Sequence, residues 1–358
     1  SVNDISTLAL VWGKAWPILA AILFFGLLIA THEGGHFLTA KLFKVRVNEF
    51  SLGMGPVLWK KQKAETQYSL RALPVGGYVA MEGEDGDSEV DGAFGSKPPW
   101  QRAIIILAGA TVNLLTGLII MAVMLGTSDL IGTPAVSQFR DNAASKAQGL
   151  REGDRILSVN NHVVRTEYDL SFYMSKDKDG VMDFVVDRDG KNVSLKHVTF
   201  ETEEVEGTQV VKYDFAIVGV KPGFKNVVKY SVLDSLSIVR IVWVSLWDLA
   251  TGNFSMRDMA GPVGTVQAVA DTTSDAAKSG NLSRLLLILA LIAINVGAFN
   301  LIPFPALDGG RFLFIMLEGI FRRPISKEFQ AAVNTVGMAM LFGLMIMVTF
   351  SDVFKLLR

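Results

Sequence analysis

The chain has 358 residues, of which 50% are hydrophobic and 19% are charged, and its formal net charge is -1. Soluble domains carry about 25% charged residues, so this composition indicates a membrane protein with a soluble part. A net charge near zero gives no global field that would attract nucleic acid. The absence of cysteine excludes disulfides, thiolate metal ligands and cysteine nucleophiles.

Four apolar stretches approach the roughly 20 residues that a helix needs to cross a bilayer. They are 16 to about 38, 103–126, 285 to about 307, and 331–350. A fifth stretch, 232–250, is apolar at helical spacing but contains Asp234, Arg240 and Asp248. Each of these would cost about 2.5–3.5 kcal/mol at mid-bilayer. We therefore expect an amphipathic helix on the membrane surface there, with a spanning helix as the alternative.

The short loops set the expected orientation, because cytoplasmic loops are enriched in Lys and Arg. Nine basic residues lie between 41 and 102, and four more lie between 311 and 327, whereas the N-terminal flank has only Lys14. Both basic loops are therefore predicted to be cytoplasmic. Both termini and the long segment 127–284 are then predicted to be extracytoplasmic.

That long segment reads as a mixed α/β domain. We predict a helix ending at Gly149, a turn at 152–154, a strand through 156–159 and a hairpin that turns at Asp189-Gly190. Residues 130–222 resemble a PDZ domain of the protease-associated type. Such domains commonly bind extended chains by adding a strand to a sheet edge.

The polar run THEGGHF ends the first apolar stretch. His32 and His36 are four residues apart and share a helix face, and Glu33 completes H-E-x-x-H, a pattern that binds zinc and supplies a general base. Ionisable residues within a membrane segment are usually functional. The alternative is an ordinary polar helix end that faces water.

A zinc site of this kind needs a third protein ligand. The remaining histidines, His162 and His197, fall in the segment expected outside, so the third ligand should be Asp or Glu. Asp308 is the candidate, because it follows NLIPFP at the predicted cytoplasmic end of the third stretch. Pro303 and Pro305 cannot continue a helix. The alternative role for Asp308 is a helix cap.

H-E-x-x-H in the first membrane helix together with NLIPFPALDG at 300–309 resembles the site-2 protease family of intramembrane zinc metalloproteases, of the regulator-of-sigma-E type with a PDZ domain. The segments GGYVAMEGE, FGSKPPWQRAIIILAGATVN and GPVG add to the resemblance. It implies that His32, His36 and Asp308 hold Zn2+, that Glu33 is catalytic and that Asn300 supports the substrate or the site. It also implies that the loop 45–81 forms a sheet dipping into the membrane, where an ordinary cytoplasmic hairpin is the alternative.

Three features depart from the family pattern. Gly34 stands where a bulky residue is usual, and Ala110 stands where proline is usual. Gly34 and Gly35 should each weaken the helix by about 1 kcal/mol relative to alanine, unless close packing requires them. A single PDZ-like domain is present, where familiar relatives have two.

The acidic run 82–92 invites a calcium interpretation but lacks the full EF-hand spacing. A solvated cytoplasmic loop is the preferred interpretation.

We therefore predict a polytopic α-helical membrane protein with four transmembrane helices, a membrane-associated β-hairpin region and an inserted extracytoplasmic PDZ-like α/β domain. The predicted domains are 1–126 with the first two helices, 127–222 PDZ-like, 223–281 amphipathic helix and linker, and 282–358 with the last two helices. The expected location is the bacterial inner membrane, with the active site near the cytoplasmic face.

The predicted function is intramembrane zinc endopeptidase activity in regulated intramembrane proteolysis. Its partners would be the lipid bilayer and single-pass membrane substrates that are already trimmed, of anti-sigma-factor or signal-peptide-remnant type, with no nucleic acid. Two alternatives remain: a non-catalytic membrane scaffold that uses the PDZ-like domain, and a metal transporter. Loss of Glu33 would be harmless in the scaffold, and the transporter would show metal flux.

Overall fold

The structure is a computed structural model that describes residues 2–84, 88–205, 208–253 and 261–356. The chain divides into two compact units, a membrane unit (1–117 and 245–358) and an inserted unit (118–244). The elements in chain order are α1 (Val2–Leu42), β1 (Val47–Lys63), β2 (Thr66–Met81), α2 (Pro99–Thr127), β3 (Ile131–Phe139), α3 (Ala144–Ala147), β4 (Arg155–Val159), β5 (His162–Val163), α4 (Glu167–Lys176), β6 (Val181–Arg188), β7 (Lys191–Thr199), β8 (Thr202–Val205), β9 (Thr208–Val211), β10 (Phe215–Val220), α5 (Phe224–Ala250), α6 (Pro262–Ser279), α7 (Ser283–Asn300), α8 (Asp308–Phe321) and α9 (Lys327–Leu356).

Within the described residues, four helices are long and apolar enough to cross a membrane: 15–42, 99–127, 283–300 and 327–354. They coincide with the four predicted stretches. The third is shorter than expected, because α7 ends at Asn300 and the chain turns through 301–307 before α8 begins. Pro303 and Pro305 lie in that turn and prevent the helix from continuing.

The amphipathic helix predicted at 232–250 is present but begins earlier, at Phe224. It is not among the helices apolar enough to span. The structure has a helix, α6, where a linker was expected. Pro262 at its start and the left-handed Gly280 at its end are typical helix boundaries. Its polar composition concealed it, since its buried residues are mainly small ones that pack in the membrane unit against α1, α7 and α9.

The loop 45–81 forms the predicted strands. Residues 49–52 of β1 pair with both ends of β2, antiparallel to 77–80 and in the same direction as 67–70, so that Leu52 lies opposite Gly77 and also opposite Leu70. Around the middle of β1 and β2, this sheet exposes large apolar side chains, namely Met54, Val57, Leu58, Trp59 and Leu73. The start of β1 and the end of β2 are anchored, because Val45, Val47, Val79 and Met81 form a buried cluster with Phe94, Ile105 and Ile315.

The inserted unit is built on an antiparallel sheet of order β10-β3-β4-β6-β7, with β5 paired to β4. Its core includes the fully buried Ile156, Met182 and Phe184. The predicted hairpin turns at Asp189 and Gly190, which both have positive φ. That conformation matches a two-residue turn to the twist of its strands. Whether this unit is a PDZ domain stays a prediction.

Candidate active site

Three side chains converge at the end of α1 and the start of α8. His32 Nε2 lies 3.2 Å from Asp308 Oδ2, and His36 Nε2 lies 3.4 Å from the same oxygen. The two Nε2 atoms are 3.3 Å apart. Among the described residues, this is the group of His and acidic side chains close enough to hold a metal ion. The structure thus brings together the three residues predicted as ligands.

The donor set fits zinc. Ligand bonds of about 2.0–2.1 Å in a tetrahedral site put neighbouring ligand atoms about 3.3–3.4 Å apart, which matches the observed triangle. Asp308 Oδ2 is buried and has no hydrogen-bond partner. A buried carboxylate oxygen normally has a hydrogen-bond partner. A cation bound by this oxygen and by both imidazole nitrogens would explain why Asp308 Oδ2 has none. A zinc ion here would leave a fourth position for water.

The helical spacing places both imidazoles on one face of α1, and the neighbouring helix α2 leaves room for them. A Cβ on Gly35 would lie 2.7 Å from the carbonyl oxygen of Ala108. A Cβ on Gly109 would collide with both imidazole rings. Gly34, in contrast, has nothing within 4 Å. Close packing therefore requires the second glycine of the pair and not the first.

Two groups on α2 orient the imidazoles. His36 Nδ1 lies 2.8 Å from the carbonyl oxygen of Ile105, which accepts a hydrogen bond from the Nδ1–H and leaves Nε2 as the ligand atom. His32 Nδ1 lies 3.4 Å from the side-chain amide of the fully buried Asn113. If Nε2 of His32 binds metal, Nδ1 carries the proton and the Asn113 amide would present its oxygen. Sequence reasoning did not assign Asn113 or Gly109 to the site, since only the packing of α2 on α1 reveals them.

Glu33 is held under the β-sheet. A Cβ on Gly77 would lie 3.0 Å from Glu33 Cγ and 3.2 Å from Ile29 Cγ2, so this end of β2 packs against the Glu33 side chain. The glycine permits that close approach. Glu33 is therefore next to the ligand cluster and beside the backbone of a strand.

The other predicted residues lie elsewhere. Asn300 ends α7, and its side-chain amide donates to the carbonyl of Val296 in the same helix at 3.0 Å, so its supporting role stays a prediction. His162 stacks on Tyr173 in the inserted unit. His197 lies in β7 of the same unit. Asp308, in contrast, is the first residue of α8 and lies in the cluster.

A cavity of about 1100 Å³ lies in the membrane unit, and none of the three cluster residues lines it. Its wall includes Arg311, one helical turn after Asp308, and Ile106, next to the carbonyl that orients His36. Ion pairs cross this wall between Arg102 and Glu318 at 2.9 Å and between Arg311 and Glu84. Glu84 belongs to the acidic run 82–92, for which calcium binding was considered and of which 85–87 lie outside the described residues.

The sequence matches the family model described as Peptidase family M50 over residues 20–344. A Clostridium acetobutylicum protein that bears the provisional name zinc metalloprotease is 35% identical over 342 residues, which cover 94% of this chain and 97% of that one. The Bacillus subtilis regulator of sigma-W protease RasP is 30% identical over 422 aligned positions, covering 95% and 98%. The Bacillus licheniformis zinc metalloprotease RasP is 31% identical, covering 95% and 99%. The chain therefore belongs to peptidase family M50, the site-2 protease family of membrane metalloproteases, and its cofactor is zinc.

Proposed function

We propose that this protein is an intramembrane endopeptidase that cleaves the transmembrane segments of single-pass membrane proteins in regulated intramembrane proteolysis. The observation that carries the proposal is the triangle of His32, His36 and Asp308 with Glu33 beside it, at the end of a helix apolar enough to span a bilayer. The Bacillus subtilis relative is named for regulation of sigma-W. That name supports substrates of the anti-sigma-factor type.

His32, His36 and Asp308 would hold the zinc. Bound zinc lowers the pKa of a water molecule and polarises a carbonyl. Glu33 would accept the proton of the attacking water and pass it to the leaving amine. The Ile105 carbonyl and Asn113 would keep the two imidazoles in the orientation in which Nε2 faces the cluster.

The edge of the β-sheet would hold the substrate. A transmembrane helix must unwind before a protease can reach its peptide bonds, and an unwound strand inside a membrane needs backbone partners. The segment 77–81 pairs with β1 on one side. In the described part of the chain no strand pairs with its other side. Since Gly77 lies against Glu33, a substrate strand added there would pass the catalytic carboxylate.

The cavity beside Arg311 would supply water. Hydrolysis within a membrane consumes water where bulk water is scarce, and the cavity wall is rich in charged side chains. The loop segments that line it are those predicted to be cytoplasmic from their Lys and Arg content. The inserted unit, which would be extracytoplasmic and PDZ-like, would select substrates that have already lost a bulky outer domain.

The decisive test is Glu33→Gln, which keeps size and shape but cannot accept a proton at neutral pH. Loss of a general base typically lowers the rate by about 10²–10⁴. Zinc content, thermal stability and cleavage of a single-pass substrate are measured on one preparation. We expect normal zinc and normal stability with cleavage reduced by that factor. Near-normal cleavage with normal zinc would contradict the mechanism, whereas absence of cleavage by the wild-type protein would favour a scaffold or a transporter.

Orientation is tested separately by labelling single cysteines in this cysteine-free chain. Lys61→Cys, Lys191→Cys and Arg323→Cys each place the probe at an exposed position. A membrane-impermeant maleimide should label position 191 in intact spheroplasts and positions 61 and 323 only after lysis. Labelling of position 61 in intact spheroplasts would overturn the proposed orientation.

A further inference from the structure

The loop 301–307 carries Asp308 into the cluster, and one of its residues, Ala306, has an unfavourable backbone conformation. Ala306 has φ 74°, in the left-handed region that a residue with a Cβ rarely adopts. Within the loop, Phe304 N donates to the Ile302 carbonyl and Leu307 N donates to the Phe304 carbonyl. A backbone held in such a conformation persists only when its surroundings determine it.

Helix α9 supplies part of those surroundings. The Asn334 Oδ1 accepts a hydrogen bond from the backbone N–H of Ala306 at 3.2 Å. This is the strained residue itself, two positions before Asp308. Asn334 lies in a helix apolar enough to span a membrane, where a polar side chain is costly unless it has a partner or lines a polar cavity. Asn334 does both, because it also lines the 1100 Å³ cavity.

Gly337 makes the second contact, one helical turn further along α9. A Cβ at this position would lie 2.5 Å from the Cβ of Pro305 and 2.7 Å from its carbonyl oxygen. Gly343 lies on the same helix and has nothing within 4 Å. Close contact with the loop therefore explains the first glycine, and no such contact exists at the second.

We infer that Asn334 and Gly337 are positioning residues that fix the loop 301–307 and so set the place of the Asp308 carboxylate relative to His32 and His36. The hydrogen bond holds the left-handed Ala306, and the missing side chain at 337 lets α9 reach Pro305. This inference rests on the proposed role of Asp308 as a metal ligand. It adds that α9, which contributes no ligand in the described structure, determines the position of the third ligand, Asp308.

The test uses two matched pairs of variants. Asn334→Leu has a similar size but no acceptor, whereas Asn334→Asp keeps an oxygen in place. Gly337→Ala adds a methyl group against Pro305, and Gly343→Ala adds the same group in open space. The readouts are zinc affinity by competition with a chelator and the visible spectrum of the cobalt-substituted protein, which reports ligand geometry independently of cleavage.

Loss of a residue that orients a ligand typically weakens metal binding about 10–100-fold. We expect that loss, with a changed cobalt spectrum, in Asn334→Leu and Gly337→Ala. Asn334→Asp and Gly343→Ala should retain the wild-type affinity and spectrum. If Gly337→Ala does not fold, as judged by thermal unfolding, the Asn334 pair decides alone.

Two results would overturn the inference: equal zinc affinities in Asn334→Leu and Asn334→Asp, or equal effects of alanine at 337 and at 343. Asp308→Ala, measured in parallel, separates this inference from the proposed function. If Asp308→Ala weakens zinc binding while the α9 variants do not, only the positioning role fails. If Asp308→Ala has no effect, the proposed ligand set fails.

Discussion

The molecule buries carboxylates in two places with opposite consequences. In the membrane unit, Asp308 faces two imidazole nitrogens at 3.2 and 3.4 Å. In the inserted unit, Asp169 and Asp234 are almost completely buried between α4 and α5, with Glu167 beside them. There Asp169 forms an ion pair with Arg240 and accepts a hydrogen bond from Ser237 at 2.9 Å. The first group converges on a point that a cation can occupy, whereas in the second group Arg240 neutralises Asp169.

Protonation completes the contrast. Burial, together with the negative charges of Glu167 and Asp169, raises the pKa of Asp234 to about 8. Asp234 is therefore mainly protonated at neutral pH and gives no anionic ligand. Burial alone thus does not identify a metal-binding carboxylate. What identifies one is the convergence of several ligand atoms at metal-ligand spacing.

The largest expected effect on stability comes from Asp169→Ala. This change leaves Arg240 without its anion and removes the acceptor for Ser237 and for the Arg165 backbone N–H. Breaking a buried ion pair costs about 3–5 kcal/mol. We expect the lower end, since the Arg240 side chain is 29% exposed. Hydrogen exchange in the inserted unit measures the loss, and zinc content should not change. A fall in zinc would show that the two clusters are not independent.

Asp234→Asn tests how the stability of the inserted unit depends on pH. The pKa of Asp234 is about 8 in the folded protein and 3.8 in its unperturbed state. A raised folded pKa gives stability that is fully present below the unfolded pKa and is lost as pH rises through the folded one. We therefore expect the wild-type inserted unit to lose stability between about pH 4 and pH 8.

In Asp234→Asn that pH-dependent loss should be much smaller, and the variant should be the more stable protein above pH 8. Thermal unfolding of both proteins across the pH range measures this. Tyr168 and Glu167 on α4 and Arg240 on α5 also face this region and are unchanged in both proteins. If the stability of the two proteins changed with pH to the same extent, Asp234 would not be the group that causes the pH dependence.

Asn113→Leu tests the support of the membrane cluster. The change keeps volume but removes the amide next to His32 Nδ1. Loss of such a partner typically weakens metal binding about 10–100-fold. Asn113→Asp keeps an acceptor and is the matched control, which should bind zinc more tightly than Asn113→Leu. Equal zinc affinity in wild type and Asn113→Leu would remove Asn113 from the site.

The smallest expected effect is the difference in stability between alanine substitutions at the two adjacent glycines of α1. Gly34→Ala should stabilise the helix by about 1 kcal/mol, because nothing lies within 4 Å of the added methyl group. Gly35→Ala should destabilise the protein and weaken zinc binding, since its methyl group would meet the Ala108 carbonyl. Thermal unfolding and zinc content of both variants check this. Similar behaviour of the two variants would contradict the close crossing of α1 and α2.

The sequence allowed the membrane helices and the pair of histidines to be predicted, because both depend on local signals. Hydropathy marks α1, α2, α7 and α9, and the four-residue spacing puts both imidazoles on one helix face. Asp308 was predicted from the shortage of other ligands and from family resemblance. The structure places its Oδ2 within 3.4 Å of the Nε2 atoms of both histidines.

The missed residues depend on contacts between distant segments. Asn113 and Gly109 belong to the site only because α2 crosses α1 at Gly35. Asn334 becomes relevant only because it reaches Ala306. Helix α6 was missed because a polar helix stabilised by packing against neighbouring helices has no apolar run to reveal it. Such contacts have no periodic signal in the sequence.

The most direct test is a measurement of zinc per chain in Asp308→Ala and Asp234→Ala, prepared identically. Asp234 is buried and the Asp308 side chain is only 15% exposed, but only Asp308 faces the imidazoles. Wild type should hold about one zinc per chain, as expected for one site with three protein ligands. We predict that Asp308→Ala loses most of it and that Asp234→Ala keeps it. Full zinc occupancy in Asp308→Ala would contradict the proposed metal site.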